Sequence, residues 1–155
     1  VTALSPVAPI DETLATSLLD TCADAAGAEV SVHSCAVALP WKVLQRSSIA
    51  AVSVDVATLE AADLDAVAEF VASGRAVMFG VVSSSAPTRA PSAQQVAAAV
   101  VAITDRLGFG RSALRKSIGV TPACGLVAAT PQWARTAIGL ARRAAEAFAS
   151  DPDAI

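Results

Sequence analysis

Charge is scarce in this sequence, and basic charge scarcest. Charged residues make up 16% of the 155 and hydrophobic ones 54%, a balance that buries a core and excludes intrinsic disorder. The formal net charge is -3, and no basic stripe with aromatic residues between appears along the chain. Nucleic acid is thereby excluded as a partner. No apolar run approaches the roughly 18 residues of a membrane span. No basic segment precedes an apolar core at Val1–Leu4, so the start is not a secretion signal. It also lacks an initiator methionine, which suggests a processed or excised piece of a longer chain. Cysteine is sparse: three, an odd number, argue against a disulfide framework and for a reducing compartment, so the cytoplasm is expected. Neither a glycine fingerprint for dinucleotides nor a Gly-Lys-Ser/Thr phosphate loop is present.

What is there has the size of one ordinary domain. Val1–Leu4 is short and apolar, and Ser5–Pro9 breaks any regular element. Asp11 caps a helix that presents Leu14, Leu18 and Cys22 on one face, with Cys22 toward the core, and Gly27 ends it. Glu29 to Ser34 reads as a strand. Pro40 then opens a short helix with Trp41 and Leu44 on its apolar side. Ile49 to Val54 is a second strand, and Leu64, Val67, Ala68 and Val71 mark a helix closed by Gly74. Ala76 to Val82 is apolar throughout, as suits a parallel strand buried on both faces. Ser83–Pro87 is a polar loop, after which Ser92 and Gln95 form a capping box. Behind that box Val96, Val100, Ile103 and Leu107 line a helix that stops at Gly108-Phe109-Gly110. Ser117 to Val120 is a fourth strand. Thr130 and Pro131 open a last helix through Ile138, Ala141 and Ala145 toward Phe148. Strands alternating with helices over short connections mean βα units and a parallel sheet.

The one histidine of the chain lies at the end of the first strand, with a cysteine two positions on: His33-Ser34-Cys35. In extended chain, i and i+2 point the same way, so an imidazole and a thiol can reach toward one point. These are zinc ligand types. Asp55 and Cys124 likewise fall at or just past strand ends. Parallel strands present those ends on one edge, where α/β folds place their sites. Each residue alone has a plainer explanation: a core histidine, a small buried cysteine, a helix-capping carboxylate, a cysteine packed in a turn. Their joint placement is harder to explain that way.

His33-Ser34-Cys35 resembles the His-X-Cys pair of the cobalamin-independent methionine synthase family, and Thr121-Pro122-Ala123-Cys124-Gly125-Leu126 resembles its Asn-Pro-Asp-Cys-Gly-Leu segment. Gly80-Val81-Val82, the serine loop with Ala86-Pro87, and Pro91-Ser92 follow its Gly-Val-Tyr-Asp-Ile-His-Ser-Pro-X-X-Pro-Ser stretch. In that family the His, both Cys and a strand-end Glu bind zinc, and the metal holds the thiol of homocysteine. The resemblance therefore implies His33, Cys35 and Cys124 as zinc ligands. Asp55 is the nearest carboxylate to the Glu, although Val56 can equally align there. It also sets Ser83 and Ser85 on the substrate side, with Ser85 in place of the family's proton-donating histidine. Ser85 cannot serve as that donor near neutral pH.

The chemistry behind such a site is direct. A free thiol is mostly protonated at neutral pH, and only the thiolate attacks a methyl group. Zinc strips the proton. Two thiolates and a carboxylate around the metal leave the bound sulfur deprotonated yet nucleophilic.

The expected architecture is thus α/β: residues 1–155 as a single domain of parallel βα units, the C-terminal portion, about half, of a TIM-type (β/α)₈ barrel. The expected function is zinc-dependent methyl transfer to a homocysteine-like thiol from a small-molecule or corrinoid-protein donor, with the chain incomplete and inactive alone. It is expected to associate as a homo-oligomer or with the missing barrel half. The rival readings are a non-catalytic domain that keeps a structural zinc site, and a plain α/β domain without metal.

Overall fold

The computed structural model describes residues 10–155; Val1–Leu4 and the Ser5–Pro9 breaker lie outside them. In order come α1 (Glu12–Ala26), β1 (Ser31–Ser34), α2 (Trp41–Arg46), β2 (Ala51–Asp55), a 3₁₀ turn (Val56–Thr58), α3 (Ala61–Ala72), β3 (Ala76–Val82), α4 (Ala93–Arg106), α5 (Ser112–Lys116), β4 (Ile118–Pro122) and α6 (Pro131–Ser150), with a final 3₁₀ turn at Pro152–Ala154.

The helix ends follow local chemistry. Asp11 accepts hydrogen bonds from the Thr13 and Leu14 N–H groups, and Gly27 closes α1 at φ 61°, a left-handed conformation that costs glycine little. Ser92 and Gln95 form both halves of the expected capping box, at 3.1 and 2.8 Å. Thr130 caps α6 through the Trp133 N–H, with Pro131 at the first helical position. At the end of α2, the Arg75 guanidinium donates to the carbonyls of Leu44, Gln45 and Ser47. Those are orphan acceptors of a helix C-terminus, where a cation is favoured.

The four strands are parallel and lie in the order β1-β2-β3-β4. Strand order that follows chain order, with helical crossovers between, is the arrangement of part of a (β/α)₈ barrel. Val52, Val54, Val77 and Phe79 face one side of the sheet and are fully buried. With Val67, Phe70, Val100, Ala137, Ala144 and Phe148 from the helices they make the core. The other side carries the row His33, Ser53, Met78 and Gly119, which are mutual register partners.

That second side corrects the reading of β3 as buried on both faces. Ala76 and Met78, on that side, are only half-buried, because no element among the described residues packs over them. Two helix faces are also corrected. Cys22 is exposed rather than turned to the core, and Leu14 and Leu18 are about half exposed, at 53% and 50%. α1 instead rests on its neighbours through Ala15, Leu19, Asp20 and Ala23, with Asp20 accepting from the Ser48 N–H and hydroxyl. In α6 the buried stripe is Trp133, Ala137, Leu140, Ala141, Ala144 and Phe148, while Ile138 is exposed. Shorter shifts occur at strand ends: β1 begins at Ser31, β2 runs Ala51–Asp55 and β4 runs Ile118–Pro122. The helix α5 was not expected. Among the described residues no helix is long and apolar enough to cross a membrane.

Candidate metal centre

β1 carries His33 on the uncovered side of the sheet, and Cys35 follows just past the strand end. β4 ends at Pro122, and the Ala123 N–H donates to Val82 O at 2.8 Å. That bond turns the chain over the end of β3 and delivers Cys124. A further constraint acts at Gly80. A Cβ there would lie 2.7 Å from Ala123 Cα and 2.8 Å from Val54 O, so only glycine lets the three strand ends approach so closely.

The outer strands β1 and β4 are separated by β2 and β3, about 14 Å measured along a sheet of ordinary strand spacing. Yet Cys124 Sγ lies 3.1 Å from Cys35 Sγ. The segments that follow β1 and β4 therefore lean toward each other across the ends of β2 and β3, as in a sheet curved like a barrel wall. One ligand atom each from His33, Cys35 and Cys124 lies within 4.8 Å of the other two. His33 and Cys35 are exposed and Cys124 is half-buried.

The Cys35 thiol is raised above its ordinary pKa, first by its hydrogen bond with Cys124, then by burial and by the charges of Cys124 and Asp55. Two thiols this close disfavour a second negative charge. A cation between them would reverse that preference. In a tetrahedral zinc site, ligating sulfurs stand about 3.8 Å apart, so the pair needs to part only slightly to hold one. The donor set therefore fits.

Asp55 ends β2 as expected, but its carboxylate lies outside this group of three ligand atoms. One oxygen accepts from the Ala57 N–H at 2.9 Å and caps the 3₁₀ turn. Asp55 also lines a cleft of about 550 Å³, with Gly80, Ser83, Ile103 and Ala123. Ser83 opens the loop after β3. Its hydroxyl donates to Ser85 O at 2.8 Å and accepts from the Ser85 N–H, while its carbonyl accepts from Trp133 Nε1. Ser83 is thus at the cleft wall and Ser85 is its partner within the turn.

A family model described as cobalamin-independent synthase, catalytic domain, matches residues 1–147. The chain belongs to that family. None of the curated proteins compared with it matches.

Two residues beside the cobalamin-independent synthase cluster were missed in the sequence. Ser53 Oγ lies 3.1 Å from His33 Nδ1 and 3.3 Å from Thr121 Oγ1. A hint existed: Ser53 is a polar residue inside an apolar strand, two positions before Asp55 and so on the same side.

Proposed function

We propose that this chain is a zinc-dependent, methionine-synthase-like thiol methyltransferase domain, with His33, Cys35 and Cys124 as metal ligands. Asp55 completes the set, either as fourth ligand or by hydrogen bonding to one of the three. The observation that carries this reading is the convergence of three ligand atoms within 4.8 Å from the first and last strands. Two thiolates and an imidazole are the ligands of catalytic zinc sites that leave room for substrate. Bound there, zinc would supply the Lewis acidity that keeps a homocysteine-like thiol deprotonated near neutral pH.

The protein groups do the rest. Cys35 and Cys124 would bind as thiolates, their protons released to solvent, and bring negative charge that preserves the nucleophilicity of a substrate sulfur. Ser83 and Ser85, at the mouth of β3, face the substrate side. Ser85 offers no acidic proton, so the methyl donor that fits is one whose leaving group needs none, such as a methylated corrinoid protein. The chain acts in the cytoplasm and is completed by the other barrel half or by a second copy.

The absence of an acidic group at Ser85 also supports a second reading, a non-catalytic domain with a structural zinc. Metal analysis of the purified protein tests both: about one zinc per chain is expected. X-ray absorption with and without a small thiol then separates them. An added sulfur ligand supports the methyltransferase reading, and an unchanged shell supports the structural one. Protein free of zinc after growth in zinc-replete medium would overturn both.

A further inference from the structure

His33 and Ser53 are register partners on adjacent strands, and His33 Nδ1 lies 3.1 Å from Ser53 Oγ. Ser53 is only 7% exposed. Its oxygen also lies 3.3 Å from Thr121 Oγ1, which comes from β4, on the far side of β3. The residue of β3 paired with Thr121 is Gly80, which puts no side chain between the two hydroxyls.

An imidazole has two ring nitrogens, and here one of them already has a protein partner. A serine hydroxyl can donate once and accept twice. We propose that Ser53, backed by Thr121, is a positioning residue: it holds the His33 ring in the tautomer protonated at Nδ1 and so presents Nε2 to a metal at the His33, Cys35 and Cys124 cluster. This inference rests on the zinc reading above.

The polarity of the chain of hydroxyls follows. With the Nε2 lone pair committed to a cation, Nδ1 keeps its proton and donates it to Ser53 Oγ. Ser53 then turns its own O–H toward Thr121 Oγ1, the acceptor within reach. Without the cation the same three groups can run the other way, with Thr121 donating to Ser53 and Ser53 to Nδ1. Ligation selects one direction. A hydroxyl suits this place because it orients the ring without adding charge beside two thiolates, unlike the carboxylate often found behind a metal-bound histidine.

The test uses the full chain labelled with ¹⁵N-histidine, whose one imidazole gives an unambiguous spectrum. Loaded with ¹¹³Cd²⁺ as the probe, Nε2 should show cadmium coupling and Nδ1 should carry a proton. Competition against a chromophoric chelator should show Ser53→Ala binding zinc about 10–100-fold more weakly, the usual effect of losing such a partner. Ser53→Thr should restore binding to within a few-fold, and Thr121→Val should lose less than Ser53→Ala. Cadmium coupling to Nδ1, or parent-like affinity in Ser53→Ala, would overturn the inference. Cys35→Ser separates the two proposals. If it loses zinc while Ser53→Ala does not, only the positioning role falls. If the parent itself binds no zinc, the metal reading falls and takes this inference with it.

Discussion

At the scale of single residues, the three cysteines have unequal parts. Cys35 and Cys124 meet at 3.1 Å, while Cys22 is exposed on α1. Cys35→Ser and Cys124→Ser are each expected to lose most of the zinc, and Cys22→Ser to keep it, as measured by metal content after dialysis. Equal retention in all three would remove the assignment. Asp55 calls for a graded outcome, because its carboxylate already caps the Val56–Thr58 turn. Asp55→Ala should weaken zinc by about 10–100-fold, less than the loss of a thiolate. Parent-like zinc affinity in Asp55→Ala would leave the carboxylate no part in the site. The convergence of His33, Cys35 and Cys124 was legible because residue type and strand-end position agree. Ser53 was not, since a serine in a strand has many uses and only register places it beside His33. Nor was the exposure of Cys22. Apolar spacing along a helix says which residues share a face, but not whether this chain has anything to cover that face.

At the scale of elements, helices with explicit caps were read well and helices without a sharp polar edge less so. α4 has its capping box and a clear stripe of Val96, Val100 and Ile103. α6 is so rich in alanine that two neighbouring stripes look alike, and the buried one includes Leu140 rather than Ile138. Alanine pays little for either orientation, so Trp133 and Phe148 set the rotation. The β3 strand depends on a different rule, the close approach at Gly80. Gly80→Ala would push a methyl against backbone of both β2 and the Pro122–Ala123 turn, which cannot yield as a flexible side chain would. A loss of about 2 kcal/mol is expected, in the range of overpacked cores. Chemical denaturation would measure it. Because Ala123 adjoins Cys124, zinc affinity should fall with stability. A variant as stable as the parent would show that the strand ends have slack.

At the scale of the whole molecule, the concave side of the sheet and the outer edges of β1 and β4 have no partner within the described residues. Leu14 and Leu18 on α1, with Ile10 just before it, add exposed apolar side chains spaced four residues apart. Unpaired strand edges and apolar rows of this kind favour association. Sedimentation should therefore find a dimer or larger species, and the isolated chain should not transfer a methyl group to homocysteine. A stable monomer with methyl transfer would contradict both expectations. The family and the alternation of strands and helices were readable from motif order. The curvature that brings the first and last strands together was not, because periodicity carries no information about the angle between strands.

That curvature has a thermodynamic side. Cys35 and Cys124 are 89 residues apart in the chain, so a shared ion would be a clasp across most of the fold. An unfolded chain cannot form it without first closing a loop of that length, at a considerable entropic cost. Binding to the native state alone adds stability by mass action, about 2.7 kcal/mol when free zinc is a hundred times the dissociation constant. For a chain of this size that corresponds to a rise of roughly 5–10 °C in Tm, lost when a chelator is added. Zinc affinity and folding then become a single linked equilibrium. Any change that loosens the arc of the sheet, even far from the ligands, would be felt as weaker metal binding.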